Sequence, residues 1–223
     1  MGHRPRRTRQ RRPRRLGPVF IVACEGRKTE YEYLSRLNRS TPRRDRPVLK
    51  PVAGSGGTAI GTVEAAIRQR DKDWRAEHYS KKDGDKAYAL VDVEPHDPAK
   101  AEALDAALKL AEAKEVVVLV SNPCFEFWLL CHVADARDVC RSFDDPKSVD
   151  KELQKRGGYG KDALHANPSL LDKLLPKAPH AVTVARHVHE KHHVGMADVR
   201  AANACTTVYQ LVACLLGEQD VAP

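Results

Sequence analysis

Three features of this 223-residue chain predict an α/β fold, a mostly parallel sheet flanked by helices and followed by a C-terminal helical region. Three short apolar runs, VFIVAC (19–24), AYALVDV (87–93) and VVVLVS (116–121), have the length and β-branched content of strands buried on both faces. Each gives way to a segment with helical spacing. Turn-forming residues separate strand from helix each time, the alternation that joins parallel strands through crossover helices.

The elements follow in order. Residues 1–16 carry eight arginines and no acid, while the chain as a whole has a formal net charge of +8. Everything after the tail is therefore neutral overall. With almost nothing apolar to bury, the tail is predicted to be disordered alone and attracted to phosphate polyanions, with Arg6, Arg7, Arg9, Arg11, Arg12, Arg14 and Arg15 as candidate nucleic-acid contacts. The plainer reading is a solubilising tail, or one that meets anionic surfaces in general. Residues 17–135 are predicted to form the α/β domain and 136–223 a helical region packed on its core.

Within the first of these, the strand at 19–24 stops at Glu25-Gly26, and Tyr31, Leu34 and Leu37 mark a helix after it. VLKPVAG suggests a second strand. Gly54 to Gly57 then lead to Thr58 as N-cap of a helix running to about Arg75. A glycine-rich turn in front of a helix can cradle phosphate, but the lysine of a P-loop is absent and a plain connecting loop is the simpler reading. After the strand at 87–93, Glu94-Pro95-His96-Asp97-Pro98 is a turn, and an alanine- and leucine-rich helix reaches about Lys114. Pro123 behind Asn122 is predicted to open a helix over CFEFWLLCHVA, with Ser121 and Asn122 as capping groups. Beyond residue 136 no strand is predicted; the segments 146–156, 161–175, 178–192 and 204–216 have helical character.

In an open parallel sheet, ligands bind outside the carboxyl ends of the strands. The strand assignments put Glu25, Asp92 and Glu94 there. Asp92 and Glu94, two residues apart, project to one side, and a third carboxylate from a neighbouring strand completes the oxygen set that Mg²⁺ or Mn²⁺ takes together with water and substrate phosphate. The rival reading is that Asp92 and Glu94 merely favour the start of the next helix through its dipole.

Four stretches resemble the RloB family of bacterial defence proteins: Ala23-Cys24-Glu25-Gly26-Arg27-Lys28-Thr29-Glu30, the strand ending Asp92-Val93-Glu94, Ser121-Asn122-Pro123-Cys124-Phe125-Glu126-Phe127-Trp128-Leu129-Leu130, and residues 203–212. That family is similar to the Toprim superfamily of topoisomerases, primases and nucleases. The resemblance implies a Toprim-like fold with a glutamate after the first strand and a D-x-D after a later one. Glu25 matches the first position and Asp92 the first acid of the second, whereas Glu94 stands where an aspartate is usual. Its extra methylene moves the oxygens, and Mg²⁺ is strict about geometry, so reduced activity or a changed metal preference is the expectation.

What the resemblance implies is a metal-dependent nuclease in phage defence, cutting DNA or RNA. Asp92, Glu94 and Glu25 would hold the ion, Glu25 would also shuttle a proton, and Lys28 would contact the phosphate. Lys28 reads equally well as a solvated helix lysine. Glu126 either completes the metal site or anchors loops by hydrogen bonds. The resemblance also implies a separately encoded ATPase as partner; this chain itself shows no recognisable ATP-binding motif, and a homodimer stays open. The alternative from another class is a non-catalytic nucleic-acid-binding or assembly subunit of a defence complex.

A third reading comes from His189-Glu190-Lys191-His192-His193, which matches the H-E-x-x-H helix of zinc hydrolases, with His189 and His193 as ligands and Glu190 as base. It has no evident third ligand, because Met196 falls where one subclass needs a histidine, and Gly195 cuts the helix short. A chance match in a histidine-rich segment is the simpler account. The six cysteines form no C-x-x-C pair and read as reduced, buried thiols. No apolar run is long enough to span a bilayer and no leader is evident, so a cytoplasmic protein without membrane contact is expected. Aromatics make up 5% of the chain and cluster in predicted helices, which leaves little for a base-stacking platform.

Overall fold

The computed structural model describes residues 17–41, 46–54, 57–93, 98–140, 143, 145–192 and 204–218. The arginine tail, Glu94 and His193 lie outside the described residues. Strand β1 (Val19–Cys24) leads through a short loop into α1 (Thr29–Ser40); β2 (Val48–Val52), α2 (Ala59–Arg75), β3 (Lys86–Asp92), α3 (Pro98–Ala113) and β4 (Val117–Asn122) continue the alternation. Five strands form one sheet in the order β2-β1-β3-β4-β5, parallel throughout except for β5 (Cys205–Thr206) at the edge.

Strand periodicity of two explains the layering. Phe20, Val22 and Cys24 of β1, Tyr88 and Leu90 of β3, and Leu119 of β4 point into one core with α1 and the C-terminal helices. Ile21 and Ala23, Ala87, Ala89 and Val91, and Val118 and Val120 point into the other, beneath α2 and α3. Both faces are covered, which is why these runs read as continuously apolar rather than alternating. Thr58 caps α2 as its sequence suggests, its hydroxyl accepting from the Gly61 N–H at 3.2 Å.

Among the described residues after β4, the elements other than β5 are helical: α4 (Glu126–Leu130), α5 (Ala136–Val139), α6 (Pro146–Lys155), α7 (Lys161–Ala166), a 3₁₀ segment Pro168–Lys173, a 3₁₀ turn Leu175–Lys177, α8 (Ala178–His192) and α9 (Val208–Leu216). Val149, Leu153, Leu164, Leu171, Val182, Val188 and Val212 share one buried cluster with Phe127, Trp128 and the β1 face. The helical region is thus continuous with the core on that side of the sheet.

Four expectations need correction. Strands do not cease at residue 136: β5 pairs antiparallel with β4, Ser121 against Thr206 and Asn122 against Cys205, and two residues are too few to show a period. Ser121 and Asn122 are strand residues rather than helix caps, and the Ser121 hydroxyl bonds the Thr206 hydroxyl at 2.8 Å. The helix expected from Pro123 begins only at Glu126, after a cis Asn122–Pro123 peptide. Asn122 is still extended, the conformation favoured before proline. Finally, the helix expected over 161–175 ends at Ala166, where Asn167 and Pro168 start the 3₁₀ segment and the Asn167 carboxamide oxygen accepts from the Ser169 N–H at 3.2 Å.

Candidate functional site

The strand order makes β1 and β3 neighbours that feed helices in opposite directions across the sheet. From β1 the chain runs outward to β2, and from β3 it runs the other way to β4. A crevice opens at such a switch point, outside the carboxyl ends of the two strands. Glu25 follows the last residue of β1 and Asp92 is the last residue of β3, so the two acids meet there, and the Asp92 N–H donates to Glu25 Oε2 at 3.1 Å.

Two glycines shape the loop that carries Glu25. A methyl group on Gly54 would lie 2.2 Å from the Glu25 carbonyl oxygen, so the chain leaving β2 can press against this loop only as glycine; the Gly54 N–H donates to the Gly26 carbonyl at 3.3 Å. Gly26 N–H in turn donates to Glu30 Oε1 at 2.9 Å, folding the first turn of α1 back over the loop. A methyl on Gly26 would come within 2.4 Å of both Glu30 carboxylate oxygens. Gly26→Ala should therefore push the Glu30 carboxylate away and break a charge-assisted hydrogen bond, at a cost of about 1–2 kcal/mol. Thermal unfolding beside a Glu30→Gln control checks this; an unchanged melting temperature would mean that the contact contributes nothing.

The resulting cleft, about 400 Å³ in volume, is lined by four carboxylates, Glu25, Glu30, Asp92 and Glu126. Arg27, Lys28, Lys161 and His165 supply its basic groups, and Gly57 forms part of its rim. Glu126 opens α4 and is 6% exposed; Lys161 opens α7 and lies 3.7 Å from Glu126 Oε1. One helical turn on, His165 Nε2 lies 3.3 Å from the Thr29 hydroxyl, which ties α7 to the start of α1. The Lys161 N–H bonds Asp150 Oδ1 at 2.6 Å and fixes the first turn of α7 against α6.

Like charges this close oppose ionisation. Burial first, and then the charges of Glu30, Glu126 and Glu25, push the Asp92 carboxyl well above the usual carboxylate range, against a smaller opposing effect of Lys161. Glu30 is raised as well, again chiefly by burial. The Lys161 ammonium is held in its charged form above all by Glu126. Cys124, 4% exposed beside these acids, has its thiol raised by burial first and then by the charges of Glu126 and Asp92.

Of the residues singled out in the sequence, Glu25, Asp92, Glu126 and Lys28 line one cleft. Glu94 and the seven tail arginines lie outside the described residues. Glu30, Lys161 and His165 were not among the sequence candidates. The acid of Glu30 stands in the C-E-G-x-x-T-E run, where it reads as a helix-start acid; Lys161 and His165 carry no sequence signal, because α7 reaches the cleft only through packing.

Carboxylate oxygens are the donor class that Mg²⁺ and Mn²⁺ select, and the mutual repulsion acting on Asp92 is what a bound cation would relieve. Among the described residues, no three His, Cys, Asp or Glu side chains are grouped so as to hold a metal ion directly. A cation here would draw on a subset of these carboxylates with water and phosphate completing its shell, as Mg²⁺ commonly does. The histidine cluster on α8 is a different matter. His189 Nδ1 is 2.8 Å from the Tyr209 hydroxyl of α9, a helix-to-helix contact, and His193 lies outside the described residues.

The six cysteines are free, four of them buried. Among the described residues, no helix is long and apolar enough to cross a membrane. Comparison with curated proteins gave no match, and neither did comparison with solved structures. The family model described as RloB-like protein matches residues 20–215, spanning every element from β1 to α9, the acidic cleft and the edge strand included. The chain belongs to the RloB-like protein family.

Proposed function

We propose that this protein is a Mg²⁺- or Mn²⁺-dependent phosphodiesterase of the Toprim type that cuts DNA or RNA, with a role in phage defence. The observation that carries the proposal is the convergence of Glu25, Glu30, Asp92 and Glu126 on one cleft at the switch point of the sheet. The defence role and an ATPase partner rest on the family resemblance alone.

A bound divalent cation would supply Lewis-acid polarisation of the phosphate and a lowered pKa for an attacking water. Asp92, with Glu94 beyond the described residues, would hold it from the end of β3. Glu25, whose carboxylate already accepts from the Asp92 N–H, is oriented to take or return a proton at the reacting oxygen. Lys161, poised beside Glu126, would offset charge that builds on the phosphate, and the exposed Arg27 and Lys28 would bind the phosphates on either side.

Incubation with plasmid DNA and structured RNA in Mg²⁺ or Mn²⁺ should give cleavage, and Glu25→Gln should slow it by about a hundredfold or more. Equal cleavage by that variant would overturn the proposal. A second reading, a binding or assembly subunit with a lapsed acidic site, is favoured by the Lys161–Glu126 pair, which provides partial charge compensation within the cleft without a metal. Salt-sensitive binding with no cleavage under any metal would decide for it.

A further inference from the structure

We infer that a second, smaller cavity opening off the acidic cleft receives one unpaired nucleobase, so that the preferred substrate is single-stranded or splayed nucleic acid rather than continuous duplex. The inference rests on the nucleic-acid reading above and names the substrate class for that same site.

This cavity, about 220 Å³, lies between the start of α1 and the segment made by α7 and the 3₁₀ stretch after it. It shares Arg27, Lys28, Thr29 and His165 with the acidic cleft, so a single ligand can occupy both spaces. Leu164 and Leu171 are 2% and 1% exposed, and with Pro168 they give it an apolar lining. That apolar part of the lining favours a flat, weakly hydrated group.

The polar groups of the cavity bear on which part of a nucleotide belongs there. Glu32 also lines the cavity, its Oε2 3.4 Å from Arg36 Nε, and the ring N–H and amino groups of a base are donors that its carboxylate can still accept. Arg27 and Lys28 are exposed at the junction of the two spaces, where the sugar and the flanking phosphates of the same strand would run. A cavity of about 220 Å³ has room for a single base. A base within a duplex would have to leave its stack to enter, a cost that an unpaired strand does not meet.

The test measures binding of the full chain, without divalent metal and at about 200 mM salt, which weakens contacts made to phosphate alone. The probes are a short labelled single strand of mixed sequence, the same strand with every base removed, and a hairpin duplex. The base-bearing single strand should bind about tenfold more tightly than either of the others. Pro168→Trp, which blocks the cavity, should erase that advantage while leaving binding of the abasic strand unchanged. The abasic comparison uses the unaltered protein and stands even if the variant misfolds. An abasic strand or duplex that binds as tightly as the base-bearing strand overturns the inference and leaves the nuclease reading intact. Absence of binding by all three probes overturns the inference, and the cleavage assay with metal decides the nuclease reading separately.

Discussion

Asp92→Asn is expected to lower metal-dependent cleavage by about a thousandfold or more and at the same time to raise the melting temperature of the metal-free protein. The opposite signs have one cause. Burial and the charges of Glu30, Glu126 and Glu25 lift the folded-state pKa of Asp92 above that of an unfolded aspartate. Its contribution to stability is therefore fully present below the unfolded value and is lost as pH rises through the folded one. Above the unfolded pKa, burial and the neighbouring charges make Asp92 work against the fold, and an uncharged amide of the same shape removes that penalty. A gain of about 1 kcal/mol, or ~3 °C at this chain length, is the expected scale.

Mg²⁺ should reverse the order by raising the melting temperature of the parent protein and leaving Asp92→Asn nearly unmoved. Thermal unfolding with and without Mg²⁺, together with cleavage rates, reads all of this. Undiminished cleavage by Asp92→Asn would sink the proposed function. Loss of activity together with loss of stability would instead give Asp92 a structural role.

Acidification should destabilise the protein through His132, by about 3 kcal/mol between pH 6.5 and pH 4. His132 is 1% exposed among Tyr33 and Trp128, and burial lowers its pKa from 6.5 to about 4. One neutral tautomer satisfies both ring nitrogens: Nδ1–H donates to the Trp128 carbonyl at 3.0 Å, and Nε2 accepts from the Tyr33 hydroxyl at 3.0 Å. Protonation would place a second N–H against that hydroxyl and a charge in an apolar site, where the charge of Lys177 opposes it further. Because the unfolded chain takes up the proton first, stability falls with pH across that window and levels off below it.

His132→Gln should lose part of the two hydrogen bonds at pH 7 and show a flatter acid limb than the parent. Urea midpoints at pH 7 and pH 4.5 for the two proteins give the comparison, and the contributions of Asp92 and Glu30, common to both, cancel in the difference. Parallel acid limbs would mean that His132 is not the titrating group.

Local chemistry made most of the sheet legible. VFIVAC, AYALVDV and VVVLVS became strands within one residue of their predicted ends, because runs buried on two faces need no partner to be recognised. Thr58 and the helix behind it were readable for the same reason, a cap acting on its own first turn. What escaped was decided at long range. Two residues, Cys205 and Thr206, became a strand through pairing with β4 and through the Ser121 hydroxyl, 85 positions away from Thr206. Four of the five buried residues of α4, Phe127 to Leu130, are consecutive and apolar, so no amphipathic stripe marked where that helix starts.

By itself the sequence determined that strands and helices alternate, that Glu25 and Asp92 stand at strand ends, and that the chain carries the motifs of its family. Periodicity, turn residues and strand termini are properties of neighbouring residues, and neighbouring residues are what a sequence displays. Only the tertiary structure decided which strands lie side by side, and hence that Glu25 and Asp92 share one crevice. It also brought Glu30 back over the loop, set Lys161 against Glu126, and set His165 against Thr29 across 136 positions. The two contacts of Lys161 and His165 depend on how α7 packs on α1 and α4, and packing is settled by burial of the whole core rather than by any local run of residues.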